Sequence, residues 1–178
     1  MDFIALPEIA KLPTRKFTES FPIRSPGRTA HAMRELIRGK TICDVGCAKG
    51  DMVMQFSRFA AYAFGINDNK EEVDIARGRE VDVLYGDALK MDIPAAHFYF
   101  FYWDETVGSP FIQRMMDSQP GPFTILTSGY EGKGWQNIYI NDWNPSTVYT
   151  FPYIESGTVK EELAPAEGTW WLVAIEKP

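Results

Sequence analysis

Between Asp44 and Gly50 the chain reads Asp-Val-Gly-Cys-Ala-Lys-Gly, residue types that suit the close approach of a ligand to the backbone. Gly46 and Gly50 let the chain turn sharply and bring a ligand up to the peptide plane. Before this run lies Thr41–Val45, an apolar stretch that reads as a buried strand. After it comes Asp51–Ala60, whose Met52, Val53, Phe56, Phe59 and Ala60 form one apolar helical stripe. A helix start presents unsatisfied N–H groups, and in doubly wound sheets ligands bind at the carboxyl ends of the strands beside the first turn. The spacing excludes the phosphate cradles. A dinucleotide fingerprint wants a third glycine where Asp51 stands, and its carboxylate would oppose a phosphate. Nor does the full P-loop pattern, Gly-x4-Gly-Lys-Ser/Thr, occur: Gly39-Lys40-Thr41 has Arg34 where its first glycine belongs. A carboxylate two residues before the first glycine suits a cationic ligand instead. Asp44 can accept hydrogen bonds from an ammonium group, directly or through water.

The run resembles the first motif, D/E-x-G-x-G-x-G, of the class I S-adenosylmethionine (SAM)-dependent methyltransferases, with Ala48 in place of the middle glycine. That methyl group is expected to narrow the pocket. In this family an acidic residue after a G-[IV] pair holds both ribose hydroxyls. Here Gly65-Ile66 is followed by Asn67, which can still bond a hydroxyl without the charge, and Asp68 one step on can substitute after a small backbone shift. Gly86-Asp87-Ala88 matches the family's G-D-[AV], whose Asp accepts a hydrogen bond from the adenine amino group. The resemblance implies SAM as cofactor, held by Asp44, Gly46, Cys47, Ala48, Gly50, Asn67, Asp68, Asp87 and Ala88. It covers residues 27–128 well and the remainder loosely. In length, and in Gly134-Trp135, the chain also resembles the small archaeal-type protein-lysine methyltransferases and their mitochondrial relatives.

On the acceptor side, Tyr102-Trp103-Asp104-Glu105 stands where class I enzymes place the group that meets the methyl acceptor. Trp103 can flank a sulfonium or alkylammonium by cation–π contact, and Asp104 or Glu105 can orient or deprotonate an amine. The competing reading makes Trp103 core and the two carboxylates helix-entry residues favoured by the helix dipole. The segment is not the N/D-P-P-Y of amino-methylating DNA enzymes. His31 and His97 read as structural, since neither pairs with a Ser or Cys nucleophile. Cys43 and Cys47 have no His or second cysteine pair nearby, so no metal site is expected.

These residues need a scaffold, and the pattern supplies one. Ala30, Met33, Leu36 and Ile37 predict a helix over 27–38. A strand at Ala61–Ile66 follows, then a capping box from Asn69 to Glu72 opening a helix to Arg79. Val81–Tyr85 and the unbroken apolar run His97–Trp103 read as strands, Ser109-Pro110 as the cap of a further helix, and Phe123–Ser128 as a fifth strand. After that, 137–141, 147–153 and 170–176 read as strands with no helix between them. The expected fold is α/β and Rossmann-like: a mostly parallel twisted sheet with helices on both faces and an antiparallel C-terminal edge. Residues 1–26, with four prolines, read as an arm or lid containing a short helical turn, and 27–178 as a single SAM-binding domain.

The 178 residues suffice for one well-buried core. A net charge of -6 argues against tight non-specific binding to a phosphate backbone. Lys11, Arg15, Lys16, Arg24, Arg28, Arg34 and Arg38 nevertheless make the first forty residues basic, which leaves RNA open as a partner. No signal peptide or apolar run of membrane-spanning length is seen, so a reduced, cytoplasmic setting is expected. The expected activity is methyl transfer from SAM to a protein side chain, lysine among them, or to a small-molecule nucleophile, with DNA disfavoured. SAM cleavage or aminopropyl transfer on the same fold, or SAM binding without catalysis, are the alternatives.

Overall fold

A long apolar run is satisfied only where both faces of a strand are covered. In the computed structural model, which describes residues 14–16, 21–22, 26–102, 107–130, 145–154 and 169–178, such runs form the centre of one sheet. In chain order the elements are β1 (Thr14–Lys16), β2 (Phe21–Pro22), α1 (Pro26–Ala32), α2 (Arg34–Ile37), β3 (Thr41–Val45), α3 (Asp51–Phe56), β4 (Tyr62–Asn67), α4 (Lys70–Gly78) and β5 (Val83–Tyr85). They continue as β6 (Phe98–Tyr102), α5 (Gly108–Ser118), β7 (Phe123–Tyr130), β8 (Pro145–Ile154) and β9 (Thr169–Lys177). The strand order is β1-β8-β9-β7-β6-β3-β4-β5, with β2 also on β8.

From β5 to β7 every pairing is parallel, whereas β9 is antiparallel to both β7 and β8. The antiparallel finish is therefore one strand, β9, inserted between β7 and β8, so that β8 runs again with the parallel set. Of the N-terminal arm, the described residues are the strands β1 and β2, which pair with β8 in parallel, and Pro26, which opens α1. The strand expected over 137–141 lies outside the described residues.

Alternation along the strands sorts the core into two layers. Ile42, Phe98, Phe100 and Leu126 pack on the face covered by α1 to α4, with Met33, Val53, Phe56, Val73 and Ala76. Cys43, Tyr99, Phe101 and Ile125 face the other way, onto Phe111, Ile112 and Met115 of α5. The register of β3 on β6 is fastened at its start, where Thr41 N–H donates to His97 Nδ1 at 3.0 Å and His97 N–H to Thr41 O at 3.1 Å.

Several boundaries move, for local reasons. The helix over 27–38 comes in two pieces, because Leu36 and Ile37 both donate to Met33 O and tighten the turn there. α3 stops at Phe56 rather than Ala60, and Ala60 forms a bridge with Arg38. Val81 joins no strand, since its N–H closes α4 by donating to Ala76 O at 3.0 Å. Ser109 is not a cap: α5 begins at Gly108, after Val107, with no side-chain capping bond.

Candidate active site

The parallel strands β3, β4 and β5 all end on one side of the sheet, and each carries a side-chain acceptor at or within two residues of its end: Asp44, Asn67 and Asp87. The first turn is held down by β4: Gly46 and Cys47 N–H both donate to Ile66 O, at 2.8 and 3.1 Å. Positive φ angles at Gly46, Ala48 and Gly50, of 74°, 49° and 81°, coil the chain tightly enough to lead into α3. Cys47 is buried and packs into the notch at Gly65, where an added Cβ would overlap its Sγ and come within 2.9 Å of Val53 Cγ2. Gly65 is thus a packing requirement: the loop sits directly on the strand.

Above these ends lies a cavity of about 530 Å³, within the range of ligand pockets. Val45 and Gly46 wall it after β3, Ile66, Asn67 and Asp68 after β4, and Gly86, Asp87, Ala88 and Leu89 after β5. Phe101 and Tyr102 of β6, Val107 just before α5 and Phe111 within it close it from the other side. Five of the cofactor residues expected from sequence therefore meet on one cavity: Gly46, Asn67, Asp68, Asp87 and Ala88. A hollow of similar size, about 540 Å³, lies at the opposite end of the strands. Its Lys177 is spent on Met116 O and Gln119 O, at 2.6 and 2.7 Å.

The other four expected residues do not line this wall. Asp44 lies one residue below it and is 4% exposed. Burial pushes its carboxyl up to about 8, and among the described residues no cation or hydrogen-bond donor is recorded against it. Burial likewise pushes the Cys47 thiol up to about 12, with the Asp44 charge adding to the effect, and raises Cys43 well above its ordinary range. Neither thiol is an available nucleophile at neutral pH. Gly50 starts α3 and packs against Val81 and Ala76.

Ala48 corrects an expectation. Its side chain is exposed and outside the cavity wall, so its methyl group does not narrow the pocket. What it costs is backbone strain, because an L-residue at φ 49° is disfavoured by about 1–2 kcal/mol. Part of this returns as the entropy cost of glycine. Ala48→Gly is therefore expected to stabilise the protein by about 0.5–1 kcal/mol in urea unfolding, and a destabilisation would disprove the strain.

Asp87 differs from Asp44 in charge state. Leu89 N–H donates to Asp87 Oδ1 at 2.8 Å and Lys90 Nζ lies 3.0 Å from Oδ2. The backbone bond first, then Lys90, hold this carboxyl below its usual range, so it is an ionised acceptor at neutral pH. Arg114 braces the same loop by donating to Ala88 O and Met91 O, at 2.7 and 2.6 Å. Leu89, Phe101, Val107 and Phe111 were missed as wall residues from sequence, whereas Tyr102 belongs to the segment read as the acceptor side. Leu89, two places after Asp87, had the strongest local signal. Trp103, Asp104, Glu105 and Gly134-Trp135 lie outside the described residues. Among the described residues no group of three or more His, Cys, Asp and Glu is placed to hold a metal ion, and no helix is long and apolar enough to cross a membrane.

No family model matches the sequence, and no curated protein matches it. Solved structures do. An RNA methyltransferase from Salinibacter ruber, in complex with S-adenosyl-L-homocysteine, has a TM-score of 0.57 at 15% identity, over 88% of this chain and 95% of that one. TrmN from Thermus thermophilus has a TM-score of 0.61 at 12% identity over 88% of this chain, which spans about half (51%) of TrmN. A dimethyladenosine transferase from Plasmodium falciparum has a TM-score of 0.57 at 12% identity, over 88% of this chain and 63% of that one. At these identities the likeness speaks for architecture, and it agrees with the strand order and the first turn: this chain has the class I SAM-dependent methyltransferase fold.

Proposed function

We propose that this protein is a methyltransferase that binds SAM across the carboxyl ends of β3, β4 and β5. The observation that carries the reading is Asp44, a buried carboxyl with no recorded counter-charge among the described residues, next to the wall of a ligand-sized cavity. Such a group is costly unless a cation joins it, and the ammonium of an amino-acid tail is a cation of suitable size. The remaining wall fits the rest of the cofactor. Asn67 and Asp68 offer oxygens for ribose hydroxyls, Asp87 offers an ionised oxygen to the adenine amino group, and Leu89, Val107 and Phe111 supply an apolar surface.

Bound there, SAM supplies an electrophilic methyl group. The chain contributes alignment and the exclusion of water, which dominate the rate of such a displacement. Asp44 gives up its proton to hold the ammonium, and the apolar side chains from β6 and α5 keep the space dry. The roles proposed for Trp103, flanking the sulfonium, and for Asp104 or Glu105, orienting or deprotonating the acceptor, rest on their place directly after β6.

For the acceptor we favour a protein side chain, lysine included, or a small molecule, on the strength of the acidic balance of the chain. The RNA methyltransferase among the structural neighbours makes RNA a necessary arm of the test. Calorimetric titration is expected to show SAM binding at micromolar to millimolar concentration, and no heat at millimolar SAM would overturn the reading. With an acceptor present, S-adenosylhomocysteine as the product nucleoside supports methyl transfer. Methylthioadenosine would point to aminopropyl transfer or cleavage, and binding without turnover across protein, small-molecule and RNA acceptors to a non-catalytic domain. The narrower likeness to protein-lysine methyltransferases and the cytoplasmic setting belong to the same proposal.

A further inference from the structure

At the end of β4 a neutral amide stands among acceptors. Asn67 is 7% exposed, and its Nδ2 donates to Ala48 O at 3.2 Å and to Glu72 Oε2 at 2.8 Å. A carbonyl and a carboxylate can only accept, so Nδ2 must face both and uses its two hydrogens there. Oδ1 is then the atom left for the cavity that Asn67 lines. Turned over, the amide would set Oδ1 against two acceptors.

Glu72 reaches Asn67 because of how α4 starts. A capping box would send the Glu72 carboxylate back to the Asn69 N–H. Only half of the box forms: Asn69 Oδ1 accepts from the N–H groups of Glu71 and Glu72, at 3.1 and 3.3 Å. The Glu72 side chain is turned to Asn67 instead.

We propose that Glu72 is a positioning residue that locks the Asn67 amide with Oδ1 towards the cofactor, so that the strand end presents one oriented acceptor to a ribose hydroxyl. The carboxylate stands one shell further out, on α4, and Asn67 and Glu72 form a matched pair. An aspartate at 67 would put two carboxylates at hydrogen-bond distance, where they repel. The inference rests on the cofactor reading given above.

The test is titration of S-adenosylhomocysteine, and of a counterpart lacking both ribose hydroxyls, into the full chain and its variants by calorimetry. Asn67→Asp is expected to weaken binding by about tenfold or more, the size of one charged hydrogen bond. The double variant Asn67→Asp/Glu72→Gln is expected to bind at least about threefold more tightly than Asn67→Asp, a partial rescue, because a glutamine amide can donate to the new carboxylate while Ala48 O still opposes it. Glu72→Ala alone is expected to cost about tenfold with the normal ligand and almost nothing with the hydroxyl-free one. A merely structural role would weaken both ligands alike. Wild-type binding with Asn67→Asp as tight as wild type, or no rescue in the double variant, overturns the matched pair and leaves the cofactor reading intact. Absence of binding to the wild type overturns both.

Discussion

Replacing Asp44 with asparagine is expected to make the ligand-free protein more heat-stable at pH 8 while removing most of its affinity for SAM. The carboxyl is 4% exposed, and burial raises it to about 8, against about 3.9 in an unfolded chain. Between these values the folded chain keeps a proton that the unfolded chain gives up. Stability therefore falls as pH rises from about 4 to 8 and levels off above. The gross effect is about 5–6 kcal/mol at 1.36 kcal/mol per unit, and relaxation around the charge reduces it. Asparagine has the shape of the protonated acid and does not titrate. At pH 5 the variant and wild type are expected to melt within a degree or two of each other. At pH 8 the variant is expected to gain about 5–10 °C, at about 2–4 °C per kcal/mol for a chain of this size.

The ligand reverses the balance. Wild-type binding near pH 7 is expected to release close to one proton, measured as a dependence of the calorimetric heat on the ionisation enthalpy of the buffer. The variant should release none and bind about 100-fold more weakly, since one partner of a buried charge pair is gone. Equal melting at both pH values, or unchanged affinity, would show that Asp44 is not the ammonium site. The site is thus destabilised before its ligand arrives, a common trade at functional positions.

Much of this was legible because it is written locally. The strand–turn–helix from Thr41 to Phe56, the order of strands and helices as far as β7, and the acceptors at three successive strand ends follow from periodicity and spacing. Where sequence reading missed, a contact from a distant segment decided. The turn of Glu72 towards Asn67 depends on where β4 ends relative to α4. The cavity wall from Val107 and Phe111 depends on how α5 lies over the sheet. The strain at Ala48 is a matter of φ, which a small residue type does not reveal: alanine looked like an added methyl group in the pocket and proved to be an exposed residue in a left-handed turn. The insertion of β9 between β7 and β8 was hidden for a similar reason, since strand order is a long-range property.

Gly50 brings these scales together, and Gly50→Ala is expected to be among the most damaging conservative changes in the chain. Its φ of 81° costs alanine about 1–2 kcal/mol. Its new Cβ would lie 2.8 Å from Val81 Cγ1 and 3.4 Å from Ala76 Cβ, an overlap worth about 1–3 kcal/mol. The expected loss in urea unfolding is about 2–5 kcal/mol in total. The two causes separate in a double-mutant cycle. Val81→Ala removes the clashing methyl and leaves only the residue's Cβ, at 3.3 Å, so Gly50→Ala in that background should cost little more than the backbone term, about 1–2 kcal/mol. An equal cost in both backgrounds would mean the loop can move away from Val81. The functional consequence follows from the same geometry. Ala76 lies on α4 and Val81 between α4 and β5, so Gly50 is where the first turn rests on the next strand–helix unit. A turn displaced there carries Gly46 away from Ile66 O and Ala48 O away from Asn67. Affinity for S-adenosylhomocysteine should therefore fall in Gly50→Ala and partly return in the double variant, in step with stability.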